Sequence, residues 1–252
     1  MKNKLLTLGW VLLATLCWAQ KKGTSVKKPL PVKIKPTLKA GPDLTKLHNN
    51  LPELIPFRKD GKMGYINQKN QVLIKPQYNL AAFFYEDCNL LNSPNEKVRK
   101  FGSGDYASVS TDDADYRIDK NGKRVYTFRK EDLGTCEREF KKQKFHAYIQ
   151  NGYYGLIEDG VFINPQDYRQ FKIYPQYHYM HILEGEDIEN PRIIAVKNDA
   201  FGVIDKDNKV VIPFEYEDIK RNFSFKIGNL FEVSKDGKNY FFVDENNNIF
   251  HP

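Results

Sequence analysis

The chain has 252 residues, a formal net charge of +7 and an aromatic content of 13%. A basic balance of that size ordinarily suggests nucleic acid, because Lys and Arg displace counterions from phosphates. Here the excess belongs to the leader: Lys2 and Lys4, then eight Lys against the single Asp43 between residues 20 and 50, leave everything from Leu51 onward at about −2, a mildly acidic body that argues against a nucleic-acid partner.

The opening "MKNKLLTLGWVLLATLCWAQ" sets two lysines before an apolar run from Leu5 to Leu16, then small residues at Cys17 and Ala19. This is the order of a secretory signal peptide, predicted over residues 1–19 with cleavage near Ala19, and the run falls short of the ~20 apolar residues that span a bilayer. An uncleaved anchor is the alternative. Leu16 argues against lipidation at Cys17, where the preceding residue should be small. Both tryptophans, Trp10 and Trp18, lie in this segment. Residues 20–50 mix Pro and Gly with the lysines and show no sustained periodicity, so they read as a disordered basic linker. Its expected partners are anionic envelope polymers or lipid headgroups, with a merely solvating spacer as the bland alternative. Cleavage leaves Cys88 and Cys136, which either pair in an oxidising compartment or stay as buried thiols.

The body, residues 51–252, repeats itself. "GKMGYINQKNQVLIKPQY" at 61–78 returns as "DAFGVIDKDNKVVIPFEY" at 199–216, with Gly64 over Gly202, Ile66 over Ile204, Asn70 over Asn208, Ile74 over Ile212 and Tyr78 over Tyr216. A third copy at 151–168 is anchored on Gly155 and carries Ile157, Ile163 and Tyr168. A fourth at 113–128 has Tyr116 in the glycine column, and a fifth at 239–252 has Phe241 there. Repeats of this length mean stacked or radially arranged units that cannot bury their apolar face alone. Each unit reads as a β-hairpin: an apolar run, a polar loop, and a second run rich in β-branched and aromatic residues. Six residues past the anchor, in four of the five units, stand Asn70, Gly122, Asn208 and Asn247, the residue types that tolerate positive φ in a short hairpin loop. The anchor glycine implies close approach of a neighbouring backbone or ring. Pro76 and Pro213 are expected to end the second strand, and Tyr78, Tyr168 and Tyr216 to pack at the exit corner.

The pattern aromatic-Gly-Tyr/Val-Ile-Asp/Asn followed by Val-Ile-Pro and Tyr resembles the WG (or KWG) repeat family of bacterial proteins. The resemblance covers most of residues 55–252, although Met63, Tyr154, Phe201 and Tyr240 stand where that family has tryptophan. It implies a β-rich tandem array of about five units, often exported or surface-associated, and it carries over no catalytic activity.

Between the units, "YEDCNLLNSPNEKVRKFGSGD" at 85–105 reads as a loop, and "GTCEREFKKQKF" at 134–145 as a short helix with Glu137 four residues before Lys141. Such insertions project from one face of an array and are the expected place for specific contacts. Candidate chemistry is sparse. His178 and His181 lie three apart, which on a strand puts them on opposite faces, away from zinc spacing. "DDADYRIDKNG" at 112–122 and "DKDN" at 205–208 cluster oxygen ligands but lack the Gly and terminal Glu of a calcium loop, and turn chemistry explains them. "FGSGD" at 101–105 and "DGKM" at 60–63 are incomplete phosphate loops, and no nucleophile elbow or thiol-enzyme signature is present. "NFS" at 222–224 fits a glycosylation acceptor only in a eukaryotic host.

The expected fold is all-β: a tandem β-hairpin repeat array, solenoid-like, with a small β-propeller as the alternative and minor helical insertions. The domain division is a signal peptide at 1–19, a basic linker at 20–50 and a WG-like repeat domain at 51–252. The expected function is that of an exported, non-catalytic binding or scaffold module, periplasmic, cell-surface or secreted, contacting protein or glycan of the envelope. A polymer-degrading or glycan-acting envelope enzyme is the alternative. Neither catalytic, cofactor nor metal residues are assigned.

Overall fold

Two turn chemistries recur along the chain and cut it into strands. The first is a tight turn whose two central residues both take positive φ: Asp60 and Gly61 (51° and 78°), Asn151 and Gly152 (53° and 80°), Asn198 and Asp199 (52° and 59°). That geometry matches the twist of the flanking strands. The second turn is fixed by a side chain. Asn67 Oδ1 accepts from the backbone N–H of Lys69 and Gln71 at 2.9 and 3.0 Å. Asp119, Asp205 and Asp244 do the same two and four residues ahead. Asn70, Gly122, Asn208 and Asn247 follow at φ of 61°, 80°, 65° and 61°, as their positions in the sequence predict.

The computed structural model describes residues 51–137, 142–159, 170–185 and 187–252; the segments 1–19 and 20–50 lie outside the described residues. Five antiparallel sheets follow one another, each built from consecutive strands. Sheet 1 holds β1 (Leu54–Lys59), β2 (Lys62–Asn67) and β3 (Val72–Tyr78). Sheet 2 holds β4 (Leu80–Phe84), β5 (Ala107–Ser110), β6 (Asp115–Ile118) and β7 (Arg124–Thr127). Sheet 3 holds β8 (Phe145–Gln150), β9 (Tyr153–Glu158) and β10 (Ile173–Tyr177). Sheet 4 holds β11 (Tyr179–Ile182), β12 (Ile193–Lys197), β13 (Ala200–Ile204) and β14 (Val210–Tyr216). Sheet 5 holds β15 (Asp218–Ile219), β16 (Phe231–Ser234), β17 (Tyr240–Val243) and β18 (Ile249–Phe250). The all-β repeat array is therefore present, and the predicted hairpin is the last strand pair of each sheet. The tight Asp-Gly and Asn-Gly turns add the strand before it.

The anchor glycine has a steric cause. In sheet 1, Met63 opposes Tyr78 and Tyr65 opposes Ile74, so β3 spends extra residues against Gly64 and bulges. A Cβ on Gly64 would collide with the Ile74 carbonyl and lie 2.7 Å from Pro76 N. Sheets 3 and 4 repeat the bulge opposite Gly155 and Gly202, where a Cβ would meet the carbonyls of Ile173 and Ile212 at 2.6 and 2.9 Å. Sheet 2, with Tyr116 in this column, has no bulge there: Tyr116 faces Thr127 and Arg117 faces Tyr126 in unbroken register. Gly64 and the bulge are one feature.

Two expectations are corrected by this register. Pro76 and Pro213 do not end their strands but sit inside β3 and β14, because at a bulge the missing N–H breaks no ladder bond. In the third unit, the strand opposite Gly155 is supplied by Ile173-Tyr174-Pro175-Gln176-Tyr177. That segment stands where the sequence pattern set Ile163 and Tyr168, which lie outside the described residues.

Apolar faces fuse neighbouring sheets. Leu54, Tyr65, Ile74 and Tyr78 pack with Ala107, Val109 and Ile118 across sheets 1 and 2. Leu156, Ile173 and Tyr177 meet Met180, Ile193 and Ile204 across sheets 3 and 4, and Ile194, Val203 and Tyr216 meet Phe231, Val233 and Val243 across sheets 4 and 5. A further cluster joins Ile55, Phe57 and Ile66 to Leu230, Phe242 and Phe250, so sheet 5 packs on sheet 1. That contact belongs to a ring rather than to a linear stack, and it favours the propeller-like form of the array at this joint. Among the described residues, no such cluster joins sheets 2 and 3.

The steric argument predicts that Gly64→Ala lowers stability by about 1–3 kcal/mol, read from the denaturant midpoint. Gly104, around which a Cβ would meet nothing within 4 Å, is the control: Gly104→Ala should be neutral or mildly stabilising. Equal effects at both positions would refute the assignment.

Candidate functional site

Within a four-stranded sheet, the connection between its first and second strands is the one that varies. In sheet 2 it spans residues 85–106, in sheet 4 residues 183–192, and in sheet 5 residues 220–230. The turns fixed by Asx side chains lie on the same side, since each follows a strand running in the same direction as the one that feeds the insertion. The insertions therefore share one face of the array.

The sheet 2 insertion is not the plain loop expected from its sequence. It folds as α1 (Cys88–Leu91), α2 (Glu96–Arg99) and a 3-10 turn at Lys100–Gly102. The cause is capping: Asp87 accepts from the N–H of Asn89 and Leu90, and Asn95 from that of Lys97. Gly102 packs so tightly on α1 that a Cβ would sit 2.6 Å from Leu91 N, which gives the "FGSGD" glycine a packing role. The chain leaving sheet 2 is then drawn back onto this insertion. Gly134 N–H donates to the Asn89 carbonyl at 2.8 Å, Asn92 Nδ2 donates to the Thr135 carbonyl at 2.9 Å, and Asn95 Nδ2 donates to Asp132 at 3.0 Å. A disulfide between Cys88 and Cys136, whose Cα atoms are 5.7 Å apart, completes the attachment. Of the short helix expected over 134–145, Thr135, Cys136 and Glu137 have no helical structure, and 138–141 lie outside the described residues.

Two clefts open on the insertion face and share Lys226. The larger, about 790 Å³, runs between Leu183, Asp187 and Arg192 of the sheet 4 insertion and Phe225, Asp244 and Glu245 of sheet 5. The smaller, about 540 Å³, lies between Tyr85 and Asp87 of the sheet 2 insertion with Arg117 of β6 on one side and, on the other, Phe223 with Lys226 and Ile227 of α3 (Ser224–Gly228), with both disulfide cysteines in its wall. Tyr85 and Phe223 are each 47% exposed and line this cleft from opposite walls. Lys226 pairs with Glu184 at 2.6 Å, and Arg192 pairs with Glu245 across sheets 4 and 5. Asp187 is held below the ordinary carboxylate range, first by the Asn190 amide that donates to it. The walls are thus pinned by ion pairs while exposed rings face the opening.

Other sequence candidates take structural places. Asp119 and Asp205 spend a carboxylate oxygen on their own turns. Asp60 and Gly61 of "DGKM" form the turn between β1 and β2. His178 is exposed and packs against Tyr153 at 5.5 Å. His181 is half-buried in β11, its pKa lowered by burial and then by Arg221. Among the described residues, no group of three or more His, Cys, Asp or Glu is placed to hold a metal ion, and no helix is long and apolar enough to cross a membrane. Asn222 of "NFS" donates to Glu232 at 2.6 Å and accepts from Ser224. The residue that sequence reading missed is Arg117, which lines the smaller cleft; its signal was available, since the repeat register sets it in a column otherwise apolar.

The family model described as WG containing repeat matches residues 63–88 and 201–238. Each match begins at the residue standing in the tryptophan column, Met63 and Phe201. The chain carries WG repeats, as its sequence pattern indicated. No curated protein matches it. A solved structure described as "Crystal structure of the eukaryotic initiation factor" is similar at 10% identity and a TM-score of 0.26, covering 81% of this chain and 53% of that one. The chain thus spans about half the length of that structure, and a likeness at this level carries no argument.

The disulfide closes 48 residues of sequence, which the chain-entropy treatment values at about 4 kcal/mol. Replacing both cysteines by serine is expected to lower unfolding free energy by about 2–4 kcal/mol and to raise hydrogen exchange in residues 88–102. An unchanged denaturant midpoint would show that the bond contributes nothing.

Proposed function

We propose that the chain is an exported, non-catalytic binding or scaffold module of the bacterial envelope, which holds a protein or glycan partner on its insertion face. The observation that carries this reading is the convergence of three insertions on one face, where they frame adjoining clefts with Tyr85 and Phe223 exposed at the opening. Ion pairs at the rims and the capped short helices α1 and α2 hold these walls in place, which reduces the ordering cost of binding. The basic segment at 20–50 supplies a second, generic attachment to anionic polymer or lipid, and its lysines lose that attraction as salt rises.

The test is capture from a bacterial envelope extract at low and moderate salt with three baits: the mature chain, the chain lacking 20–50, and a Tyr85→Ser/Phe223→Ser variant. The reading expects a partner that tolerates moderate salt, survives loss of 20–50 and disappears with the double variant. Capture that depends only on 20–50 and on low salt, with the cleft variant unaffected, would contradict it.

A further inference from the structure

The residue after the anchor column is a buried hydrophobic or aromatic side chain in every unit but one. Tyr65, Leu156, Val203 and Phe242 hold this position in sheets 1, 3, 4 and 5, all buried. In sheet 2 the same position holds Arg117, and it is equally buried, at 2% exposure. Repeats that otherwise agree depart from their own rule where function or strain requires it, so the cause of the substitution lies in what the guanidinium touches.

Its Nε donates to the Phe101 carbonyl at 2.9 Å. Nη2 donates to the carbonyls of Tyr85 and Ser103 at 3.0 and 2.9 Å, and Nη1 to the Ser108 hydroxyl at 3.0 Å. Four of the five N–H groups of a guanidinium thus meet neutral acceptors, all but Ser108 in the sheet 2 insertion or the end of the strand leading into it. The fifth, on Nη1, has no acceptor among the described residues, and no carboxylate among them forms an ion pair with Arg117. Asp87 acts on it most strongly of the carboxylates, yet its Oδ1 is engaged by the N–H of Asn89 and Leu90. A buried guanidinium without a counterion carries a desolvation cost of several kcal/mol. Burial accordingly lowers the pKa of Arg117, against the opposing influence of Asp87 and Tyr65, while an arginine keeps its charge.

Arg117 forms part of the wall of the 540 Å³ cleft, beside Phe83, Phe223 and Ile227. We propose that this cleft receives a peptide carboxylate, a chain terminus or an acidic side chain, whose oxygen takes the remaining Nη1 proton of Arg117 and supplies the counterion the fold omits. The apolar wall receives the hydrocarbon part of the same residue. A dianion fits poorly, because Glu86, Asp87 and Glu184 line the same cleft and its second cation, Lys226, is paired with Glu184; those carboxylates suit the N–H groups of a peptide backbone. The inference rests on the reading of the insertion face as a binding surface and names its ligand class.

The experiment titrates the mature chain with acetyl-Ala-Ala-Phe as free acid, the same peptide as carboxamide, glucuronate and inorganic phosphate, following the Arg117 Nε–Hε resonance by NMR and affinity by calorimetry. The expected result is an acid that binds about tenfold more tightly than the amide, the equivalent of one charge-assisted hydrogen bond, with a shift at Arg117 that neither phosphate nor glucuronate produces. Arg117→Lys should erase the preference for the acid over the amide. Because that variant also loses part of the clamp on the insertion, the wild-type comparison decides if it fails to fold. Acid and amide binding alike, with Tyr85→Ser/Phe223→Ser weakening both, would overturn the carboxylate site and leave the binding surface standing. Tighter binding of phosphate or glucuronate would overturn the ligand class, and the absence of binding by either peptide would overturn the proposal.

Discussion

A missing Cβ governs this structure. At Gly64, Gly155 and Gly202 the facing strand folds a carbonyl into the volume a side chain would take, joined by Pro76 at Gly64, Pro175 at Gly155 and the Phe214 ring at Gly202, and the strand bulges there. The bulge absorbs residues on one strand only, so it sets where the tyrosine that follows emerges. Tyr78, Tyr177 and Tyr216 are all buried at the end of the bulged strand, pointing to the next sheet. Because the bulge adds two residues, an even number, each tyrosine keeps the buried face of the isoleucine four residues before it.

From that corner the units are joined. Tyr177 of sheet 3 donates its hydroxyl to Asn208 of sheet 4 at 2.7 Å, and Tyr216 of sheet 4 donates to Asn247 of sheet 5 at 2.7 Å. Burial pushes both phenols up to about 12, so the rings remain neutral donors at any ordinary pH. The acceptor is in each case the asparagine at positive φ, a residue placed there for its backbone and used by the neighbour for its side chain. Between sheets 1 and 2 the corresponding residue is Gly122, packed 3.3 Å from Ile74 as measured from the Cβ it lacks, and the tyrosine hydroxyl that crosses this joint is that of Tyr65, donating to the Ala82 carbonyl at 2.7 Å. Between sheets 5 and 1, Asn70 takes the acceptor role again: its Oδ1 receives His251 N–H at 3.0 Å while its amide donates to the Ile249 carbonyl at 3.1 Å. The same joint thus continues from the last sheet to the first, and it sets the insertions of sheets 2, 4 and 5 around shared clefts instead of spreading them along a rod.

Much of this was legible in the residues. The anchor column, the Asn or Gly six residues later and the aromatic exit corner are local rules, and every unit repeats at least one of them, so weak signals reinforced one another. The misreadings arose where the rule depends on a partner strand. Proline reads as a terminator from one strand alone, whereas the bulge that accommodates Pro76 exists only opposite Gly64. The third unit was displaced because "VFINPQDY" and "KIYPQY" both satisfy the local pattern, and pairing against Gly155 decides between them. The Asp-Gly at 60–61 and Asn-Gly at 151–152 are strong local turn signals, and both form two-residue turns with positive φ at each position. The clefts were not legible at all, since they are made by residues from three sheets brought together by the ring-like contact of sheets 1 and 5. Arg117 illustrates the limit: its column was readable, but its four acceptors come from an insertion whose fold depends on the caps at Asp87 and Asn95.

The most direct test of the account is a double-mutant cycle at one joint, with Tyr216→Phe removing the donor and Asn247→Gly removing the acceptor while keeping the positive φ that Asn247 adopts. Each variant and the pair are unfolded in denaturant. The account predicts a coupling of about 1 kcal/mol, the net worth of a partly buried hydrogen bond. Losses that add to within about 0.3 kcal/mol would show that the tyrosine and asparagine merely sit side by side, and that the sheets are held in sequence by apolar packing alone.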